Sequence, residues 1–161
     1  MYTEAVLSLG GNKGNREFLL AQAVEALRDQ FGVTKLSDIY ETGAWGGVAQ
    51  GNFLNQIAVI LTEKNPEEVL RIIQAIEKNL GRKRDEHWGD RTMDIDILYF
   101  GDRILDTDQL KVPHPFLAKR KFVLVPLASL LPEKKHPITY KSSIEMLAEC
   151  EDESEVSVYV K

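Results

Sequence analysis

A chain of 161 residues and 18.2 kDa, 43% hydrophobic and 28% charged, is long enough for one cored domain and too apolar for wholesale disorder. A net charge of −5 and a pI near 5.3 make a duplex-binding surface a poor expectation. A single cysteine, Cys150, excludes an internal disulfide framework and a cysteine-rich zinc site, and no apolar run approaches the roughly 20 residues of a membrane-spanning helix.

The opening Met1-Tyr2-Thr3-Glu4 has no basic or apolar leader, so a reducing, cytoplasmic setting is expected, without a membrane partner. No repeat, low-complexity tract or Gly/Ser linker appears, and residues 1–161 are read as a single domain. Charge is uneven along it. Residues 109–132 hold Lys111, Lys119, Arg120 and Lys121 and no carboxylate, whereas residues 145–155 are acidic without Lys or Arg and read as a solvated surface.

Residues 5–9 form a short apolar run ending at Gly10-Gly11, which predicts a buried strand. Asn15 is placed to cap a helix in which Leu20, Val24, Leu27 and Phe31 recur at helical spacing, stopped by Gly32. Residues 35–42 read as a second strand. Residues 43–51 hold four glycines and two alanines around Trp45 and read as a loop. A long strand follows over 53–61, and alternation sets Phe53, Asn55, Ile57, Val59 and Leu61 on one face.

Asn65 then caps a helix with Pro66 at its first position and an apolar stripe of Val69, Ile72, Ile73, Ile76 and Leu80, stopped by Gly81. Residues 82–92, crowded with both charges, read as a second loop. Residues 93–100 read as a strand, with Ile95, Ile97 and Tyr99 on the core face, turned at Gly101-Asp102 into a short return strand near Ile104. A helix over 120–131 and a last strand over 156–160 complete the pattern. The order βαββαβ predicts a ferredoxin-like α+β sandwich, with helices packed on a mainly antiparallel sheet.

The sharpest chemical feature is Asp94-Ile95-Asp96. Two apart on a strand, the carboxylates share a face with Cα atoms roughly 6.5–7 Å apart. Like charges so placed oppose the sheet unless something compensates them. Oxygen donors of this kind suit Mg²⁺, which takes one or two carboxylates plus substrate phosphates. Arg82, Arg84 and Arg91, with Trp88 among them, lie in the loop feeding this strand, and guanidinium forks match phosphate oxygens. Carboxylates beside arginines suit phosphoryl or pyrophosphoryl transfer. Surface ion pairs with Asp85, Glu86 and Asp90 are the plainer alternative for that loop.

Gln74 and Glu77 lie three apart on the second helix and are candidates for a base or sugar. His114 stands between two prolines, placed to donate to a phosphate. Asn55 beside Phe53 can read the edge and face of a flat heterocycle. No G-x-x-x-x-G-K-[ST] motif occurs, and the Gly10-Gly11-Asn12-Lys13-Gly14 stretch lacks the spacing of a dinucleotide fingerprint.

These residues together resemble the 6-hydroxymethyl-7,8-dihydropterin pyrophosphokinase family of folate biosynthesis. Gly81-Arg82-Lys83-Arg84 with Trp88-Gly89-Asp90-Arg91-Thr92-Met93-Asp94-Ile95-Asp96-Ile97 is similar to its G-R-x-R…W-G-x-R-x-x-D-x-D pattern. Leu9-Gly10-Gly11-Asn12, Phe53-Leu54-Asn55, Val112-Pro113-His114-Pro115 and the stretch from Arg120 to Leu127 add further matches.

The resemblance implies transfer of the β,γ-diphosphoryl group of ATP to the pterin hydroxymethyl. It implies two Mg²⁺ ions on Asp94 and Asp96, with Arg82 and Arg91 assisting catalysis. It assigns Gln74, Glu77, Arg84, Trp88, Ile97, Lys111, His114 and Arg120 to the ATP site. Thr42, Gly43, Trp45, Phe53, Asn55 and Phe122 go to the pterin site, with the two Phe rings sandwiching the heterocycle. A monomer with small-molecule substrates and no nucleic-acid partner is expected. Gly43 stands where many members have proline, and Gln109 and Lys111 where some carry Arg and Thr, which leaves Lys111 to take over a phosphate contact. A nucleotide- or RNA-binding module and a two-metal hydrolase are the competing readings.

Overall fold

The computed structural model describes residues 1–43, 52–81 and 93–159. The elements begin with β1 (Thr3–Gly11), α1 (Arg16–Gln30), β2 (Gly32–Leu36), β3 (Tyr40–Thr42), β4 (Phe53–Thr62), α2 (Pro66–Asn79) and β5 (Asp94–Phe100). Both main helices start as their sequences dictate. The Asn15 side chain accepts from the Phe18 N–H, and Asn65 and Glu68 form a reciprocal capping box ahead of Pro66. Just beyond α2, Gly81 takes φ +93°, a left-handed conformation that costs glycine little.

Later elements are β6 (Leu105–Asp106), β7 (Lys111–Val112), a 3-10 turn at Leu117–Lys119, α3 (Lys121–Leu130), α4 (Ser143–Glu149) and β8 (Val156–Val158). The main sheet runs β5-β1-β4-β3-β8, with β2 also paired to β4, and every pairing is antiparallel. β4 is the hub. It pairs with β1 from Leu54 to Thr62, and its other edge is shared by β3 near Phe53 and β2 near Leu61.

The sheet buries both faces. Leu7, Leu9, Leu54, Ala58, Ile60, Ile95 and Ile97 pack under Leu20, Leu27, Val69 and Ile73 of α1 and α2. Val6, Ile57, Val59, Leu98 and Tyr99 form the other core, with Val123, Leu124 and Leu127 of α3 and Met146 of α4. The expected sandwich is therefore present, and α3 and α4 close the face that a bare βαββαβ unit leaves open.

Four local expectations are corrected. Residues 35–42 are two strands, because Ser37 interrupts the ladder: its hydroxyl accepts from the Ile57 N–H at 2.8 Å while its own N–H donates to Ile57 O at 2.9 Å. The return strand near Ile104 pairs with β7 in a separate two-stranded sheet, not with β5. Tyr99 leaves the Ile95/Ile97 face. The β1–β5 register skips Leu98, pairing Leu7 with Ile97 and Val6 with Tyr99, and one extra residue reverses every later side chain. Finally, α4 has no counterpart among the expected elements, although its capping box, Ser142 with Glu145, is written in the sequence.

Candidate functional site

The apolar contacts of the α3-facing side of the sheet stop at Ile57. Beyond it the same face turns polar, row by row. Asp96 pairs with Ser8, which pairs with Ile57. Asp94 pairs with Gly10, which pairs with Asn55; Phe53 pairs with Thr42. Direct partners in an antiparallel ladder share a face, so Asp94, Asp96, Asn55, Phe53 and Thr42 stand on one surface. Asp94 and Asn55 are two strands apart, roughly 10 Å.

Gly10 makes this surface possible. A β-carbon there would run into the Asn55 Oδ1 and come within 3.2 Å of the Leu54 carbonyl oxygen. The Asn55 side chain thus occupies the space that residue 10 leaves. Asn55 and Thr42 are 4% and 2% exposed, and yet among the described residues the Asn55 Nδ2 and the Thr42 Oγ1 are buried without a hydrogen-bond partner. Buried polar atoms left unpaired are costly, on the order of 1–3 kcal/mol each, so two of them on one sheet end make that end a candidate site for a polar ligand.

Asp94 and Asp96 stand on β5, the edge strand, and both are partly exposed. The bulge at Leu98 brings a second segment against them. The His114 N–H donates to the Leu98 carbonyl at 2.9 Å, and the ring then lies with Nε2 3.9 Å from Asp96 Oδ2. Nδ1 accepts from the Phe116 N–H at 3.2 Å, which leaves the proton of the neutral ring on Nε2. Burial, reinforced by the Arg120 charge and opposed by Asp94, pushes the His114 pKa down to about 4. At neutral pH the ring is therefore an uncharged donor pointing toward the carboxylates.

Arg120 adds a fixed positive charge. Its guanidinium lies 5.2 Å from the Phe116 ring centroid and 5.8 Å from that of Phe122, at cation–π distance from both. Phe122 opens α3 and is partly buried against the second core. Phe53 is likewise partly buried, which leaves ring surface available for stacking.

The other expected residues are distributed differently. Glu77 is buried, and its carboxylate accepts the Ile95 N–H of the edge strand at 2.8 Å, tying α2 to β5. Gln74 is exposed on the same helix. Ile97 packs its side chain into the first core, so only its backbone can meet a ligand. Lys111 is exposed and lies 3.6 Å from Asp106 across the β6–β7 pair, and Gln109 is exposed just before it. A side chain on Gly43 would meet none of the described residues within 4 Å. Trp45, Arg82, Arg84, Trp88 and Arg91 lie outside the described residues. The Gly10-Gly11 pair belongs to the β1 ladder, which removes it as a phosphate loop.

The donor set fits a hard divalent cation. Two carboxylates share a face at an edge, and among the described residues no group of three His, Cys, Asp or Glu side chains is gathered to hold an ion. Mg²⁺ accepts such a partial site because waters and substrate phosphates complete its shell.

Sequence reasoning passed over Gly10 as part of the site and Asp152 as part of its support. For Gly10 the Leu-Gly-Gly-Asn match was the available signal. For Asp152 there was none, because its partner is Lys121, far away in the chain.

Comparison with known proteins identifies the family of the chain. The signature of the family described as 7,8-dihydro-6-hydroxymethylpterin-pyrophosphokinase (HPPK) matches residues 6–132. The chain is 44% identical over 135 residues to the 2-amino-4-hydroxy-6-hydroxymethyldihydropteridine pyrophosphokinase of Aquifex aeolicus, covering 84% of each protein. It is 48% identical over 128 residues to the Bacillus subtilis protein of the same name, covering 78% of this chain and 77% of that one. Among solved structures, Plasmodium falciparum HPPK-DHPS with pteroate is similar in fold, with a TM-score of 0.73 at 18% identity. That match covers 92% of this chain and 42% of the Plasmodium chain, so this chain spans less than half of its length.

Proposed function

The chain belongs to the 7,8-dihydro-6-hydroxymethylpterin-pyrophosphokinase family, and on that premise we propose how its own residues perform the transfer. The reaction moves the β,γ-diphosphoryl group of ATP to the hydroxymethyl group of 6-hydroxymethyl-7,8-dihydropterin, a step of folate biosynthesis. The hydroxymethyl oxygen bonds to the β-phosphorus, the bond from that phosphorus to the α-phosphate bridging oxygen breaks, and AMP departs. The hydroxyl proton is released.

The observation that carries this reading is the pair of buried atoms without a partner among the described residues, Asn55 Nδ2 and Thr42 Oγ1, on the sheet surface that also bears Asp94 and Asp96. A pterin is flat, with donors and acceptors along one edge. Asn55 and Thr42 bind that edge, while Phe53 and Phe122 cover the faces. Seated so, the ring directs its hydroxymethyl arm along the row toward Asp94.

Asp94 and Asp96 would hold two Mg²⁺ ions. Held by these two carboxylates, they would supply charge neutralisation for the triphosphate and polarisation of the acceptor hydroxyl. His114 donates its Nε2 proton to a phosphate oxygen while adding no charge that would compete for the carboxylates. Arg120, with Arg82, Arg84 and Arg91 from the stretch preceding β5 in the chain, supplies guanidinium donors for the phosphates, and Arg82 and Arg91 act on the transferring group. Trp88, Gln74, Lys111 and the Ile97 backbone border the nucleotide. Glu77 aligns β5 from behind, and Trp45 and Gly43 border the pterin. The whole chain acts as one catalytic domain, a cytoplasmic monomer that takes only small-molecule substrates.

The test is incubation with Mg-ATP, with and without the hydroxymethyl dihydropterin. AMP is expected only when both substrates are present. Release of phosphate or pyrophosphate without the pterin would replace this reading by a hydrolase.

A further inference from the structure

Residues 151–159 lie beyond the stretch matched by the family signature, and their acidity alone suggests a solvated surface. In the structure they make two separate anchors. At the first, Asp152 Oδ2 accepts the Lys121 N–H at 3.0 Å, at the start of α3. Arg120, the capping residue of that helix, makes no side-chain cap of its own, so Asp152 caps α3 from a distant part of the chain. The carboxylate is itself fixed, because Oδ1 accepts both the Ser154 N–H at 2.9 Å and the Ser154 hydroxyl at 2.6 Å.

The second anchor is on β3. β8 pairs with it, Val156 opposite Thr42 and Val158 opposite Tyr40, and the Tyr159 N–H continues the pairing to Ile39 O at 2.8 Å. Tyr159 then donates its hydroxyl to Glu17 Oε1 at 2.7 Å, while the Arg16 guanidinium lies 5.7 Å from its ring centroid. β3 itself is three residues long and is held by β4 on its other edge. Without β8 it would be a short edge strand, with little to set its position.

The two anchored elements carry the two walls of the proposed pterin pocket. Lys121 immediately precedes Phe122, and Val156 pairs directly with Thr42. We propose that residues 152–156 are a brace across the pterin pocket, with Asp152 as a positioning residue that sets the spacing between Phe122 on α3 and Thr42 on β3. This rests on the assignment of the pterin site above. Asp152 touches no substrate. Its effect reaches the reaction through the first turn of α3, where Phe122 forms a wall of the pterin pocket, so it acts first on the heterocycle.

The experiment is steady-state kinetics of Asp152→Ala, Asp152→Asn and Ser154→Ala, with each substrate varied in turn and a thermal melt for each variant. For Asp152→Ala the pterin KM is expected to rise roughly fivefold, the scale of a lost cap, with kcat changed less than about twofold and the ATP KM, which Arg120 at the same helix start can feel, rising by less than the pterin KM. Asp152→Asn keeps an acceptor for Lys121 and should recover most of that loss. Ser154→Ala, which leaves the cap in place, should shift the pterin KM in the same direction by less.

Equal loss in all parameters, tracking the melting temperature, would reduce Asp152 to a purely structural role and overturn the proposal, as would an unchanged pterin KM. If Asp152→Ala does not fold, Ser154→Ala and Asp152→Asn decide between the same outcomes. A wild-type protein that forms no AMP from ATP and the pterin would instead bring down the pterin-site assignment, and this inference with it.

Discussion

Gly10 and Asn55 are direct partners in the β1–β4 ladder, and the Asn55 amide occupies the place where a side chain on residue 10 would stand. Gly10→Ala is therefore expected to push Asn55 off its position. A loss of about 1–3 kcal/mol in stability is the scale of such overpacking. Pterin affinity should fall at least tenfold, the scale of one misplaced polar partner. Thermal melts and a pterin titration check the two effects separately, and unchanged pterin affinity would detach Asn55 from ligand binding.

Thr42→Val tests the unpartnered hydroxyl from the other direction. The swap removes a buried polar atom that has no partner among the described residues. Apo stability should hold or rise by up to about 1 kcal/mol, while pterin binding weakens roughly tenfold. A protein both less stable and unchanged in pterin affinity would contradict the reading of Thr42 as a ligand contact.

Asp96→Asn keeps size and hydrogen bonding but removes the charge. Turnover with Mg-ATP should fall by more than about 100-fold, the scale of losing a main electrostatic contact in a transition state. Pterin binding measured without nucleotide should be nearly unaffected. Near-normal turnover would mean that the carboxylate pair is not the metal site.

Glu77→Ala should destabilise the edge strand. It strips the acceptor from the buried Ile95 N–H, a cost of about 1–3 kcal/mol. Glu77→Gln keeps an acceptor and should lose less. Chemical denaturation of both variants decides this, and equal stability of Glu77→Ala and wild type would show that the bond contributes nothing.

Asp152 makes the brace sensitive to acid. Burial raises its pKa, but the bonds from Ser154 and Lys121 and the Lys121 charge outweigh this and hold it below the ordinary 3.8. A group with a depressed folded pKa contributes stability above its unfolded value and loses it as pH falls through the folded one. Hydrogen exchange in β8 and in the first turn of α3 should therefore accelerate as pH drops below the usual aspartate range, after correction for intrinsic rates. Asp152→Asn should show no such step. Identical profiles would assign the acid response to another group.

Much of this protein is written locally. Asn15, Asn65 and Pro66 start helices through contacts within three residues, and alternation along 53–59 put Asn55 and Phe53 on one face without knowledge of any partner strand. The Asp94-Ile95-Asp96 pair is legible for the same reason, since a period of two places both carboxylates together wherever the strand lies. Other features exist only when distant segments meet. The bulge at Leu98 depends on β1 register and reverses Tyr99, which alternation had assigned to the opposite face. His114 reaches Asp96 only because that bulge offers a carbonyl to its N–H. The absence of a partner for Thr42 Oγ1 and Asn55 Nδ2 among the described residues depends on which distant segments surround them, which no spacing encodes. Asp152 carries the same lesson: its acidity is plain in the sequence, but what it caps is set by the folding of α3 against β8, where two remote stretches share one hydrogen bond.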